Sequence, residues 1–227
     1  MENGDSPMLV AGIDEAGRGS VIGPLVVAGV TIREEKLYAL KQLGVKDSKL
    51  LSSKKRVALA QQIKPLAEKF VIIKLMPPEI DRVVASQRKL HKLNRLEAET
   101  MARIIDSLEP EQAYVDAADV VEERFKHHIQ ERISTKVQII SKHKADKIYP
   151  VVSAASILAK VERDSEIESL LAEFGDFGSG YLTDPKTKLF LREWLETHSD
   201  YPDCVRKSYK PARIVKEERN TIQRKLI

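Results

Sequence analysis

Four carboxylates stand where apolar runs of this chain stop: Asp14 and Glu15 side by side, then Asp116, then Asp146. An ionised carboxylate at the edge of an apolar strand is costly to desolvate unless solvent, a basic side chain or a metal meets it. If the four converge, they repel one another, and without cations some of them must take up protons. Hard divalent ions such as Mg²⁺ favour oxygen ligands and remove that repulsion. Two such ions about 4 Å apart activate a water and stabilise the departing oxygen of a phosphodiester. The plainer alternative is that each acid caps a helix or pairs with a nearby lysine. That alternative is strongest for Asp146, which precedes a helix, and for Asp116; it is weakest for the adjacent pair that interrupts one apolar strand.

Other chemistries fit the residues less well. Glycines at 12, 17 and 19 suggest a phosphate loop, but the Gly-Lys-Ser/Thr ending is missing and Asp14 and Glu15 occupy the place of the phosphates. Gly17, Gly19 and Gly23 do not match the dinucleotide spacing. No Cys-x-x-Cys or His-Glu-x-x-His occurs, and the five histidines are scattered, which argues against zinc. Successive strand residues point to opposite faces, so Asp14 and Glu15 are poorly placed to flank one glycosidic bond.

The elements that must position these acids alternate between strand and helix. LVAGIDEAGRGSVIGPLVVAGV reads as two buried strands, Leu9 to Ile13 and Pro24 to Ile32, joined by a glycine-rich turn. A helix from Glu34 stops at Gly44, Ser52 or Ser53 caps another to about Lys69, and Phe70 to Met76 is a strand closed by Pro77 and Pro78. Leu90 to Leu108 has a helical apolar stripe. A strand in QAYVDAAD breaks at Asp116, a helix runs near Val121 to Ile133, and Val137 to Ile140 is a strand. Asp146 then arrives just ahead of a long helix, Val151 to Phe174, with Ser153, Ala154, Ala155 and Ala159 on one face. Alternation of this kind is the mark of an α/β fold, in which sites gather at strand ends.

With 227 residues, 42% of them hydrophobic, the chain is large enough for one substantial core, or one domain with a small appendage. No stretch nears the roughly 18 apolar residues of a membrane span, and MENGDSPM lacks the basic end and apolar middle of a signal peptide. The expectation is a soluble, cytoplasmic protein with no membrane partner. Its one cysteine, Cys204, suits a reducing compartment. The net charge is +4, and the segment from Cys204 onward holds eight Lys and Arg against Glu217 and Glu218, so the remainder is slightly acidic. A second basic cluster, Lys46, Lys49, Lys54, Lys55 and Arg56, surrounds Asp47. Such patches suit a polyanion, although basic surfaces are often only solvated.

Five ordered blocks, IDEAGRGSVIGPLVVAGV, KDSKLLS, YVDAAD, KADKIYPVVSAASILAKVERD and GSGYLTDPKT, resemble type 2 ribonuclease H, also called ribonuclease HII, and its archaeal and eukaryotic branch above all. The resemblance runs from about Ala11 to Pro211. It implies a ribonuclease H-like fold with a five-stranded mixed sheet flanked by helices, and a small helical C-terminal part. The expected division is a catalytic domain over residues 1–175 and a basic, helical substrate-binding extension over 176–227. The family's catalytic and metal-holding carboxylates fall on Asp14, Glu15, Asp116 and Asp146, with two Mg²⁺ or Mn²⁺ ions as cofactors. Gly17, Arg18, Gly19 and Tyr181 fall on the elements that recognise the ribonucleotide, where a backbone without side chains approaches the 2′-hydroxyl. Lys46, Asp47, Ser48 and Lys49 fall on a phosphate-contacting loop, with Ser156, Lys160 and Arg163 as further candidates.

The resemblance therefore implies a monomeric endoribonuclease whose partners are RNA/DNA hybrids and duplex DNA containing single ribonucleotides. It would cut 5′ to the ribonucleotide and leave 3′-hydroxyl and 5′-phosphate ends. A DNA-junction nuclease of the same fold and a non-catalytic hybrid-binding protein are the competing readings. Three departures concern the recognition elements: Ser20 and Leu182 stand where relatives often have Pro, and Tyr209 where they often have Trp. Pro fixes φ, so both loops are expected to be slightly less rigid here. The terminal TIQRKLI lacks the aromatics of a clamp-binding peptide, so no sliding-clamp partner is expected.

Overall fold

The computed structural model describes residues 7–45, 51–86 and 92–225, with side chains through Arg219. The expected phosphate loop, Lys46 to Lys49, and the side chains of TIQRKLI lie outside the described residues. Val- and Ile-rich runs form five strands: β1 (Leu9–Ala16), β2 (Leu25–Arg33), β3 (Lys69–Leu75), β4 (Gln112–Asp116) and β5 (Gln138–Lys142). They make one sheet in the order β3-β2-β1-β4-β5. β1 is antiparallel to β2 and parallel to β4, and β4 is parallel to β5, so the sheet is mixed as expected.

The helices are α1 (Leu37–Gln42), α2 (Ser53–Leu66), α3 (Pro77–Ala85), α4 (Lys92–Leu108), α5 (Glu122–Gln130), α6 (Ala145–Ile148), α7 (Pro150–Phe174), α8 (Pro185–Thr197) and α9 (Lys210–Lys225). Ser52 caps α2, its hydroxyl accepting from the Lys55 amide at 3.3 Å. Two differences from the sequence reading have local causes. Pro77 and Pro78, read as the end of a strand, occupy the first positions of α3, where a missing N–H costs nothing. Asp146 sits in a short helix of its own, α6, entered through Lys144 at φ 57°.

The chain divides into two compact units that interleave in sequence: Met1–Ala16, Val26–Ile73 and Asn94–Glu162 form one; Gly17–Leu25, Lys74–Leu93 and Arg163–Ile227 form the other. The expected boundary after residue 175 falls inside the second unit. Residues 167–174 of α7 belong to that unit's apolar cluster through Ile167, Leu170, Leu171 and Phe174.

In the first unit, strand alternation sorts the sheet into two cores. Val10 and Ala16 of β1 pack with Val151, Val152, Ala155 and Ala159 of α7, whereas Ala11 and Ile13 pack with Met101, Ile104 and Ile105 of α4 and with Phe125 of α5. Contact with α7 is close because Gly12 has no side chain: a Cβ there would lie 2.2 Å from the Val151 carbonyl carbon. The second unit has its own core, centred on Ile22, Phe177, Leu191, Leu195 and Val205.

Candidate active site

Asp14 lies on the face of β1 that α7 covers, the parity it shares with Val10 and Ala16. β1 and β4 run parallel with Ile13 opposite Val115. The next residues along, Asp14 and Asp116, therefore stand at the same edge on neighbouring strands. Asp116 also shares its face with Tyr114, which packs into the same α7-side core. Burial pushes the Asp14 carboxyl up to about 7, and the Asp116 charge pushes it the same way. Lys160, a hydrogen bond from Ser156 and the Glu15 amide pull it back without cancelling the rise. Asp14 Oδ1 accepts from the Glu15 amide at 2.7 Å.

Asp116 Oδ1 accepts from the Ala145 amide at 2.9 Å, which ties the end of β4 to the start of α6 and so to Asp146, 4% exposed. Glu15, by alternation, belongs to the face covered by α4 and α5. Among the described residues, no three His, Cys, Asp or Glu side chains stand close enough to hold a metal ion between them. The expected four-acid set is thus represented by the pair Asp14 and Asp116, with Glu15 next along β1 and Asp146 in the short helix tied to Asp116. The pair still fits a hard divalent ion. Its donors are carboxylate oxygens, and the burial and repulsion that raise Asp14 are costs of its charge that a cation would offset.

Ser156 is fully buried rather than presented to solvent, and its hydroxyl bonds Asp14. Lys160, one turn further along α7, donates to Ser156 Oγ at 2.7 Å. Residues expected to meet phosphate are arranged here as a chain leading to Asp14.

The second unit builds the turn and loop expected to recognise the ribonucleotide. Gly17 has φ 84°, a value that favours glycine. Ser20 is fully buried: its hydroxyl lies within hydrogen-bond reach of the Ile22 and Gly180 carbonyls, and Arg163 Nη2 donates to it at 2.9 Å. The hydroxyl thus stands between the turn and the loop at Gly180. Arg163 is 7% exposed, donates also to the Ser179 carbonyl at 3.3 Å, and lies 5.0 Å from the Tyr181 ring centroid. Its guanidinium is committed inside the unit.

Two groups escaped the sequence reading. Arg206, fully buried, holds the turn from below through contacts made across more than 180 positions, which no local pattern announces. Asp119, 3% exposed, clasps the loop after β4 by accepting from Arg124, from Asn94 at 2.9 Å and from the Val121 amide at 3.0 Å. These donors hold its carboxyl well below the usual range. The second Asp in YVDAAD was the available signal.

The sequence model of the family described as Ribonuclease HII matches residues 11–212. The chain belongs to the ribonuclease HII family. Ribonuclease HII from Methanosarcina acetivorans is 46% identical over 220 residues, spanning 93% of this chain and 97% of that protein. The crystal structure of ribonuclease H2 from Pyrococcus horikoshii OT3 superposes with a TM-score of 0.85 at 42% identity, over 93% of this chain and 98% of the other. The fold extends to Bst-RNase HIII, solved in complex with Mn²⁺, with a TM-score of 0.71 at 23% identity over 92% of this chain and 70% of that one. As a ribonuclease HII, the chain is a metal-dependent endoribonuclease with ribonuclease H activity. Among the described residues no helix is long and apolar enough to cross a membrane.

Proposed function

We propose that this ribonuclease HII hydrolyses the RNA strand of RNA/DNA hybrids and single ribonucleotides embedded in duplex DNA. Cleavage falls on the 5′ side of the ribonucleotide and leaves 3′-hydroxyl and 5′-phosphate ends. The observation that carries the reading is the placement of Asp14 and Asp116 on one face at one edge of two parallel strands, with Asp14 raised to about 7 by burial and by its partner. Asp14, Glu15, Asp116 and Asp146 would hold two Mg²⁺ or Mn²⁺ ions, which supply a nucleophilic water and stabilise the departing 3′-oxygen. Ser156 and Lys160 keep Asp14 oriented and favour its charged form. The turn at Gly17, Arg18 and Gly19 offers backbone groups to the ribose 2′-hydroxyl, the group that distinguishes RNA from DNA. Tyr181, supported by Arg163, offers an aromatic face to the neighbouring sugar or base.

The test is incision of a duplex containing one ribonucleotide, with Mg²⁺, with Mn²⁺ and with chelator, for wild type and Asp14→Asn. Metal-dependent incision 5′ to the ribonucleotide, lost in the variant, is the expected result. An Asp14→Asn enzyme as fast as wild type would remove Asp14 from the chemistry. Cleavage of an all-DNA branched duplex in place of the ribonucleotide substrate would make the chain a junction nuclease.

A further inference from the structure

Arg206 has no exposed surface, yet it carries a guanidinium. Burial lowers its pKa, and the groups acting on it electrostatically, Tyr209, Arg163 and Tyr181, include no carboxylate. A side chain filling space alone would be better apolar, because a buried cation is expensive unless its donors are used. Two of its nitrogens, Nε and Nη1, are used on the turn between residues 18 and 23, while Nη2 is buried with no hydrogen-bond partner among the described residues. The Arg206 amide donates to the Val21 carbonyl at 2.9 Å, and Ile22 bridges Val205 in antiparallel fashion. From that anchor Nε donates to the Gly23 carbonyl at 3.1 Å and Nη1 to the Arg18 carbonyl at 3.0 Å. One planar group therefore grips both ends of the turn.

Tyr209 closes the arrangement. Nη1 of Arg206 donates to its hydroxyl at 3.0 Å, and that hydroxyl donates to the Arg18 carbonyl at 3.1 Å. The Arg18 oxygen accepts from both, and the Tyr209 ring stands 5.1 Å from the guanidinium carbon. The consequence follows from the peptide bond. In a planar trans peptide the carbonyl oxygen of Arg18 and the N–H of Gly19 point in opposite directions. Fixing the oxygen on the buried side turns the Gly19 N–H toward the exposed side of the turn, and Gly19 is exposed. A Cβ on Gly19 would find the Tyr181 ring at 3.9 Å, so the residue stands beside the aromatic.

We infer that Arg206 and Tyr209 form a two-donor lock on the Arg18 carbonyl, and that this lock is a positioning device for ribonucleotide discrimination. The inference rests on the proposed role of the Gly17-Arg18-Gly19 turn. It assigns Tyr209 a task that its phenolic hydroxyl performs and a phenyl ring cannot.

Tyr209→Phe removes one donor while keeping the ring over the guanidinium. The quantity to read is the ratio of kcat/KM for a duplex with a single ribonucleotide to kcat/KM for a long hybrid, with KM and kcat separated. Melting temperature and calorimetric Mn²⁺ affinity are measured beside it. The single-ribonucleotide substrate offers one position at which the turn must be in place, whereas a long hybrid offers many. The lock predicts that the ratio falls about tenfold, the factor for the loss of one hydrogen bond, mainly through KM, with Mn²⁺ affinity unchanged. Arg206→Lys, which keeps the charge but not the planar fork, is expected to lower the ratio further. Equal losses on both substrates that track a fall in melting temperature would make the pair a structural support only and overturn the inference. So would an unchanged ratio in Tyr209→Phe beside a wild type that incises the single ribonucleotide. A wild type that fails on that duplex overturns the underlying reading of the turn, and the inference with it.

Discussion

Asp14 and Asp116 are one residue beyond the paired Ile13 and Val115 on neighbouring parallel strands, and both lie on the face of the sheet that α7 covers. The pairing register alone brings two like charges together, and burial makes their meeting costly. Burial, and after it the Asp116 charge, push the Asp14 carboxyl from an ordinary value near 3.8 up to about 7.

That shift sets the pH dependence of the metal-free protein. A carboxyl whose folded pKa is raised binds its proton more tightly in the folded state. Its presence is neutral below the unfolded value and costs stability as pH rises through the window from about 4 to 7. Asp14→Asn abolishes the ionisation. In chelator, the variant is expected to gain stability over wild type as pH increases, by on the order of 2–4 kcal/mol above pH 7, with little difference at pH 4. Urea denaturation of both proteins across this range checks it, and a pH-independent difference would contradict the assignment.

Divalent metal should act in the opposite sense. Mg²⁺ or Mn²⁺ that binds the folded carboxylates stabilises by mass action, roughly 2.7 kcal/mol when the ion is at a hundred times its dissociation constant. Wild type should show a rise in Tm on adding metal at pH 8, a smaller rise at pH 6 where the proton competes, and little in Asp14→Asn or Asp116→Asn. Scanning calorimetry with matched ionic strength separates this from general screening. A rise of equal size in all three proteins would place the bound ion elsewhere.

The edge that gathers Asp14 and Asp116 was legible because it obeys local rules. Short Val- and Ile-rich runs interrupted by acids read as strands ending in carboxylates, and period-two alternation already separated Asp14 from Glu15. Asp146 was harder, since the left-handed Lys144 that opens α6 has no glycine to mark it. The turn at Gly17 and Gly19 was visible in its glycines but not in its support. Ser20, Arg163, Arg206 and Tyr209 act on residues up to 191 positions away. The sequence shows Arg163 only as a candidate phosphate contact, Ser20 and Tyr209 only as departures from the family pattern and Arg206 only within a basic run, and none of these signals tells which backbone group each holds. α3 was lost for a different reason: two prolines end a strand and begin a helix with equal ease.

Asp119 supplies a prediction about the loop that follows Asp116. Its carboxylate takes both donors of Arg124 as well as Asn94 and the Val121 amide, while Val120 beside it is 88% exposed. Asp119→Ala leaves those donors without their acceptor and is expected to cost about 2–3 kcal/mol at pH 7. Because the native carboxyl is held below its ordinary value, the contribution is present above about pH 4 and fades as pH falls further. Denaturation at pH 7 and pH 2.5 reads both effects. A variant equally destabilised at the two pH values would mean that packing, not the charge, holds the loop.

Gly17 and Gly44 separate backbone strain from collision. Both have positive φ, 84° and 70°, but a Cβ on Gly44 would meet nothing within 4 Å, whereas one on Gly17 would lie 2.4 Å from Arg163 Nε and 2.7 Å from the Pro24 carbonyl. Gly44→Ala should therefore show only the left-handed penalty of about 1–2 kcal/mol. Gly17→Ala carries the same penalty and must also displace Arg163, which breaks its bond to Ser20 Oγ and its stacking on Tyr181. It is expected to destabilise by at least 1 kcal/mol more than Gly44→Ala and to raise KM for a single-ribonucleotide duplex. A double-mutant cycle with Arg163→Ala tests the mechanism. If Arg163 is the obstacle, the penalty of Gly17→Ala shrinks toward that of Gly44→Ala once the guanidinium is gone, and an additive cycle would show that the strain lies in the turn alone.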